Sequence, residues 1–272
     1  MLLYTLVLLS LLSFSGAMES GIVGGKETKA HSRPYMASLQ QDGEHTCGGF
    51  LIRKDFVLTA AHCLTLYSSF NSTSEQHVGR NHLEVVLGAH NIKKKEKDQQ
   101  RIQVRNYFRH PKYIKYTNAG DWKNLTVDIM LLKLKSSAVL NKFVNVVELP
   151  GKKDKMPANM DCSIAGWGKR KPKKQKESNV LYETSLTLLQ DSACEEAWQQ
   201  YYDRACMMCT KTSEDNTFCQ GDSGGPLMCD SKPRGLAIYT SPSRCNDPNY
   251  PGVYLNISSF LNWIKKVMGK KT

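Results

Sequence analysis

Short apolar or alternating runs recur along the chain, at Gly49–Arg53, Phe56–Ala60, Leu83–Leu87, Ile129–Leu134, Cys162–Gly166 and Leu227–Cys229. Clusters of Gly, Pro, Asn and Ser divide them, so each run predicts a strand and the whole predicts an all-β fold. Sustained helical periodicity occurs only near the end, where Ile257, Phe260, Leu261, Ile264, Val267 and Met268 share one face of a predicted helix. That face is expected to dock on the chain's own core, with a membrane surface as the lesser alternative. Ser136–Asn145 lacks such a run and reads as a link between two halves.

The first fifteen residues are almost wholly apolar and end in small side chains, the h-region pattern of a secretory signal peptide, though without the usual positive start. They fall short of the roughly 20 residues that a spanning helix needs, and no membrane span is expected later. Cleavage after Ala17 would leave Met18–Gly21 as a short propeptide. The remaining chain of about 250 residues is long enough for one large β domain or two small ones. Nine cysteines in an exported chain imply a disulfide framework with one thiol over. Thirty-seven Lys and Arg against 25 Asp and Glu leave a net charge of +12, which favours acidic partners.

The candidate chemistry lies in three short segments. Gly221-Asp222-Ser223-Gly224-Gly225-Pro226 sets a serine among glycines. A serine hydroxyl is a poor nucleophile unless a base lies within hydrogen-bond reach and a third group orients that base. Thr59-Ala60-Ala61-His62-Cys63 supplies a histidine at the end of an apolar strand. Asp128-Ile129-Met130-Leu131-Leu132 supplies a carboxylate at the mouth of another. Taken singly, each has an ordinary explanation: a core or surface histidine, a strand cap, a glycine turn.

Taken together and in order, these segments resemble the trypsin-like serine proteases. Ile22–Gly25 (IVGG), Gly166–Gly168 (GWG) and Pro251–Tyr254 (PGVY) add to the match, which covers nearly everything after the leader. His31–Gln40 and Leu87–Ile92 are similar to the granzyme and mast-cell protease branch. The resemblance implies two packed six-stranded antiparallel β-barrels with a C-terminal α-helix. The protease domain would run over 22–272, with its barrels at about 22–137 and about 138–272. It also implies a triad in which His62 takes the Ser223 proton while Asp128 orients the imidazole, and an oxyanion hole from the N–H groups of Gly221 and Ser223. No metal and no cofactor are expected.

The family pattern pairs a newly exposed Ile22 amine with Asp222. Gly21 precedes Ile22, so a trypsin-like activator is not expected; two dipeptide removals would clear Met18–Gly21, which suits a dipeptidyl peptidase. At the base of the primary pocket the pattern places Thr217 rather than an acid, which disfavours Lys and Arg in the substrate. Gly252 occupies the position at which granzymes specific for Asp carry arginine. Ile238-Tyr239-Thr240 would wall the pocket, with Thr240 narrowing its entrance and Phe218 intruding, so medium or small apolar residues are expected. An alignment through Thr240-Ser241-Pro242 would change that wall.

Family spacing implies the disulfides Cys47–Cys63, Cys162–Cys229, Cys194–Cys209 and Cys219–Cys245, leaving Cys206 over; Cys206 in place of Cys209 is the alternative. A zinc site at Cys206 and Cys209 lacks a second ligand pair. Asn71, Asn124 and Asn256 head glycosylation sequons. Lys93–Lys97, Lys169–Lys176 and Lys265–Lys271 are basic runs that either stay solvated or bind heparin-like sulfated proteoglycan. The expected protein is a secreted or granule-stored endopeptidase with protein and peptide substrates and serpin-type inhibitors, and no nucleic acid partner. The competing reading is a basic heparin-binding or antimicrobial protein on a protease scaffold with weak catalysis; a digestive protease ranks third.

Overall fold

The computed structural model describes residues 22–64, 83–113, 127–152, 154, 156–171 and 176–269. The leader, the propeptide, Asn71 and Asn124 lie outside the described residues.

Six strands close into an antiparallel barrel in the first half of the chain. They are β2 (Met36–Gln41), β3 (Glu44–Arg53), β4 (Phe56–Thr59), β5 (Glu84–Leu87), β6 (Gln100–Arg109) and β7 (Met130–Leu134). Their order around the barrel is β2-β3-β4-β7-β6-β5. Phe50, Leu51, Val57, Leu58, Val85, Leu131 and Leu132 are fully buried, on one or the other face of the barrel wall. The β6 strand, which the apolar runs above do not include, alternates buried Ile102 and Val104 with more exposed polar neighbours, as a half-buried strand should.

Six strands of the second half are β8 (Asp161–Gly166), β9 (Tyr182–Thr187), β10 (Met207–Thr210), β11 (Pro226–Cys229), β12 (Lys232–Tyr239) and β13 (Gly252–Asn256). A short N-terminal strand, β1 (Lys26–Glu27), pairs with β9, giving the order β1-β9-β8-β11-β12-β13-β10. The start of the described chain is therefore built into the second sheet although it belongs to the first half in sequence. Val23 makes an isolated bridge to Thr217, and Ile22 is fully buried with Ile164, Leu188 and Leu227.

The link at 136–145 contains no strand, but Ala138 and Val144 are buried in the main core, and the Ala138 N–H donates to Lys54 O. Helix α1 (Asp191–Trp198) buries Cys194 and Trp198. At the end of the chain a 3-10 turn over Ile257–Phe260 leads into α2 (Leu261–Met268). Ile257, Phe260, Leu261, Ile264 and Val267 all point into the core, so the expected apolar face docks on the chain itself. No helix among the described residues is long and apolar enough to cross a membrane.

The four expected cysteine pairs are bonded as Cys47–Cys63, Cys162–Cys229, Cys194–Cys209 and Cys219–Cys245. Cys206 is in none of them; its Sγ lies 3.6 Å from Asp203 Oδ2. Burial pushes the Cys206 thiol up to about 12, with the Asp203 charge adding to the shift, so it stays protonated near neutral pH. With Cys209 committed to Cys194, the two cysteines cannot act together as zinc thiolates.

Candidate active site

The site forms where the two halves meet. Strand β4 ends at Thr59, and the short turn Ala61–Leu64 that follows carries His62. The Cys47–Cys63 disulfide ties this turn to β3. Asp128 sits just before β7, whose Met130 pairs with Thr59 of β4, so strand register alone brings the two residues to the same end of the barrel.

Both Asp128 oxygens are committed to His62. The ring Nδ1–H donates to Oδ2 at 2.6 Å, and the His62 backbone N–H donates to Oδ1 at 2.8 Å. Asp128 is fully buried, and the His62 side chain is 20% exposed. Burial opposes a charged ring, but the Asp128 charge and its hydrogen bond outweigh that effect and raise the His62 pKa above the ordinary 6.5. The arrangement fixes the orientation of the imidazole.

Ser223 comes from the second half, between β11 and the Cys219 disulfide, and is held against the His62 segment by its backbone. Its carbonyl accepts from Gly48 N–H at 2.9 Å and lies 3.9 Å from Cys63 Sγ. Gly224 has φ +81°, and a Cβ there would fall 2.2 Å from Thr59 Oγ1 and 2.5 Å from Gly48 O. Only glycine permits this approach of the two halves. Gly221, at φ +96°, faces Gly168 across a similarly close gap. Among the described residues no acceptor takes the N–H of Gly221 or of Ser223.

A residue that the sequence argument passed over holds this loop in place. His45, on β3, is buried and donates from Nε2 to Gly221 O at 2.9 Å, which requires its Nδ1 to accept from Ser38 Oγ at 2.8 Å. Burial drives its pKa down to about 4, with Lys93 adding to the depression against the Gly221 bond, so the ring stays neutral in that tautomer. Nothing in the local sequence marks His45, because its partner is 176 positions away.

Asp222 is fully buried. Its Oδ1 accepts from Gly168 N–H at 2.8 Å and its Oδ2 from Cys219 N–H at 2.9 Å. Even so, burial pushes the carboxyl up to about 7, more than those two bonds lower it. In the intact chain Ile22 N is a peptide nitrogen and cannot meet this carboxylate as an ammonium.

The cavity beside Ser223 has a volume of about 160 Å³, and Phe218, Ile238, Tyr239 and Thr240 line it. Phe218 is 1% exposed; its ring centre is 5.0 Å from that of Tyr254, and a Cβ at Gly252 would lie 2.9 Å from Phe218 Cε1. Thr217 is fully buried beneath, and its Oγ1 has no hydrogen-bond partner among the described residues. The phenyl ring therefore packs against Gly252 and lines the cavity, whose lining includes neither Thr217 nor Gly252. Tyr239 forms the wall; its hydroxyl donates to Tyr201 O at 2.7 Å and its ring meets Trp198 edge-on at 4.8 Å.

Cys47, His62 and Cys63 lie close enough to suggest a metal cluster, but the two sulfurs are bonded to each other and neither is a thiolate. Asn256 is partly exposed, and its Oδ1 accepts from Ser258 N–H at 3.1 Å.

A family model described as Trypsin matches residues 22–264. Granzyme B of Rattus norvegicus is 43% identical over 272 residues, covering 97% of this chain and 99% of that protein. Granzyme B of Homo sapiens is 40% identical, with 97% of each covered. Cathepsin G of Mus musculus is 38% identical over 97% of this chain and 91% of its own length. Among solved structures, neuropsin, a serine protease expressed in the limbic system of mouse brain, superposes with a TM-score of 0.77 at 33% identity, covering 91% of this chain and all of that one.

Proposed function

Because this chain belongs to the trypsin family of serine proteases, we propose that it is an endopeptidase in which Ser223, His62 and Asp128 form the triad. The observation that carries this reading is the double engagement of Asp128, through Oδ2 with the ring and Oδ1 with the backbone of His62. A histidine held in this way, its pKa raised, acts as the base for a nearby hydroxyl. The Ser223 oxygen attacks the scissile carbonyl as its proton passes to His62 Nε2. The oxyanion is met by the N–H groups of Gly221 and Ser223, where the loss of one donor raises a barrier by about 3 kcal/mol. His62 then protonates the leaving amine, and water, deprotonated by the same ring, releases the acyl group from Ser223.

The primary specificity is for medium or small apolar side chains, such as Leu or Met. The buried Phe218 ring supports this, since it closes the space over Gly252 in which a longer or aromatic side chain would lie. Among the described residues no acid lines the cavity, so a substrate Lys or Arg would bury its charge without a partner there. Activation follows removal of the segment through Gly21 by a dipeptidyl peptidase, after which the Ile22 ammonium joins Asp222.

The protein is secreted or stored in secretory granules and is open to serpin-type inhibitors. Heparin-like proteoglycan is its polyanionic partner. Lys93, Lys94, Lys95 and Lys97 are exposed, and Lys93 and Lys176 both act on Glu44, so two of the basic runs meet on one face. Affinity for heparin should therefore fall steeply with salt.

The test is digestion of a diverse peptide mixture by protein beginning at Ile22, beside its Ser223→Ala variant, with products sequenced by mass spectrometry. Cleavage after Leu, Met or similar residues that vanishes in the variant supports the assignment. Equal cleavage by the variant ends it.

A further inference from the structure

The lining of the cavity that contains Ser223 is of two kinds. Phe218, Ile238 and Tyr239 are buried and apolar or aromatic. Ser243 and Arg244 are exposed and polar, and Thr240 and Ser241 lie beside them, with the Ser241 and Ser243 hydroxyls 3.0 Å apart. Arg244 is exposed, and among the described residues its guanidinium has no ion-pair partner. Two nearby acidic residues are engaged elsewhere: Glu214 O accepts from Asn246 Nδ2 at 2.6 Å, and Asp247 Oδ1 accepts from Asn249 N–H at 3.1 Å. The Cys219–Cys245 disulfide anchors the residue next to Arg244 to the cavity wall, so the cation is presented from a braced backbone.

We propose that Arg244 is a specificity-determining residue that selects peptides carrying a carboxylate side chain, Asp or Glu, two positions from the scissile residue. In an extended peptide the side chains two apart share a face and are separated by about 7 Å. A side chain entering the cavity therefore carries its same-face neighbour over the rim where Arg244 stands. The guanidinium offers a planar fork of donors matched to a carboxylate, and the rim hydroxyls add further donors. The buried lining is apolar or aromatic, so an acid is recognised beside the scissile residue and not at it. This inference rests on Ser223 being the nucleophile.

The experiment uses protein beginning at Ile22 and peptides that differ only in Asp, Asn or Lys at the position two before or two after a scissile Leu. For the wild type, kcat/KM for Asp should exceed that for Asn by about 1.5- to fivefold at one of the two positions. The ratio should fall to near one in Arg244→Gln and invert in favour of Lys in Arg244→Glu. The same peptides are then titrated onto Ser223→Ala protein, with and without Arg244→Gln, so that recognition is read without turnover. Tighter Asp binding that depends on Arg244, with no Ser223-dependent cleavage, would uphold the acid site and sink the protease assignment. Asp and Asn peptides that bind and turn over alike, or an Asp preference unchanged in both Arg244 variants, would overturn the proposal and leave the chain's overall positive charge as the only attraction.

Discussion

Replacing Phe218 with alanine is the sharpest way to ask what closes the primary pocket. The ring is 1% exposed, lies 5.0 Å from Tyr254 centre to centre, and comes within 2.9 Å of where a Cβ on Gly252 would stand. Deleting a buried phenyl group costs about 3–5 kcal/mol, because the lost transfer energy is joined by the cavity left behind. For a domain of this size each kcal/mol lowers Tm by about 2–4 °C, so a fall of roughly 6–20 °C is expected. The same deletion enlarges the cavity beside Ser223 toward Gly252. A pocket that rejects a side chain one group too large discriminates by about 10–200-fold, and relief of that clash should raise the Phe-to-Leu ratio of kcat/KM by tenfold or more. The assay compares matched peptide amides with Leu or Phe at the scissile position, with thermal melts and heparin retention measured on the same samples. Phe218→Leu, which keeps most of the volume, should retain the melting temperature and shift the ratio only slightly. A folded Phe218→Ala protein with the predicted loss of Tm and an unchanged ratio would refute the reasoning: the ring would then be core and not floor.

Asp222 makes the unprocessed chain pH-sensitive in a direction opposite to an ordinary carboxylate. Its pKa is about 7 in the fold against 3.8 ordinarily, so the fold prefers the protonated acid, and the stability tied to it, fully present below 3.8, is lost as pH rises toward 7. The difference corresponds to at most about 4 kcal/mol. Denaturant midpoints of unprocessed Ser223→Ala protein should therefore decline relative to its Asp222→Asn counterpart between pH 4 and 8, and parallel profiles would contradict this. For His62, whose pKa is raised by Asp128, kcat/KM should rise with pH through a midpoint above 6.5, and Asp128→Asn should move that midpoint down. A midpoint that ignores Asp128 would detach the pair from catalysis.

Much of the fold was legible because strand-forming runs are local. Phe56–Thr59, Met130–Leu134, Asp161–Gly166 and Pro226–Cys229 coincide closely with apolar stretches, since a strand buried on both faces has no polar positions to disguise it. Other elements fell outside those runs, β6 and α1 for different reasons. The β6 strand shows its alternation only over Ile102 and Val104, and α1 buries little beyond Cys194 and Trp198, too short a stripe to read as a helix. The site was legible to the extent that its residues sit in distinctive neighbourhoods: His62 beside a cysteine, Asp128 before an apolar strand, Ser223 among glycines.

What the sequence by itself determined was the chemistry available and the strands to carry it, because burial pattern, glycine content and residue type are properties of each segment. The tertiary structure alone decided that β1 joins the second sheet, that His45 grips Gly221, and that Arg244 stands at the rim of the cavity holding Ser223. It alone decided that Phe218 packs against Gly252. Each of these is a contact between segments far apart in the chain, and such contacts are settled by how two packed halves bury their faces against each other, which no local pattern encodes.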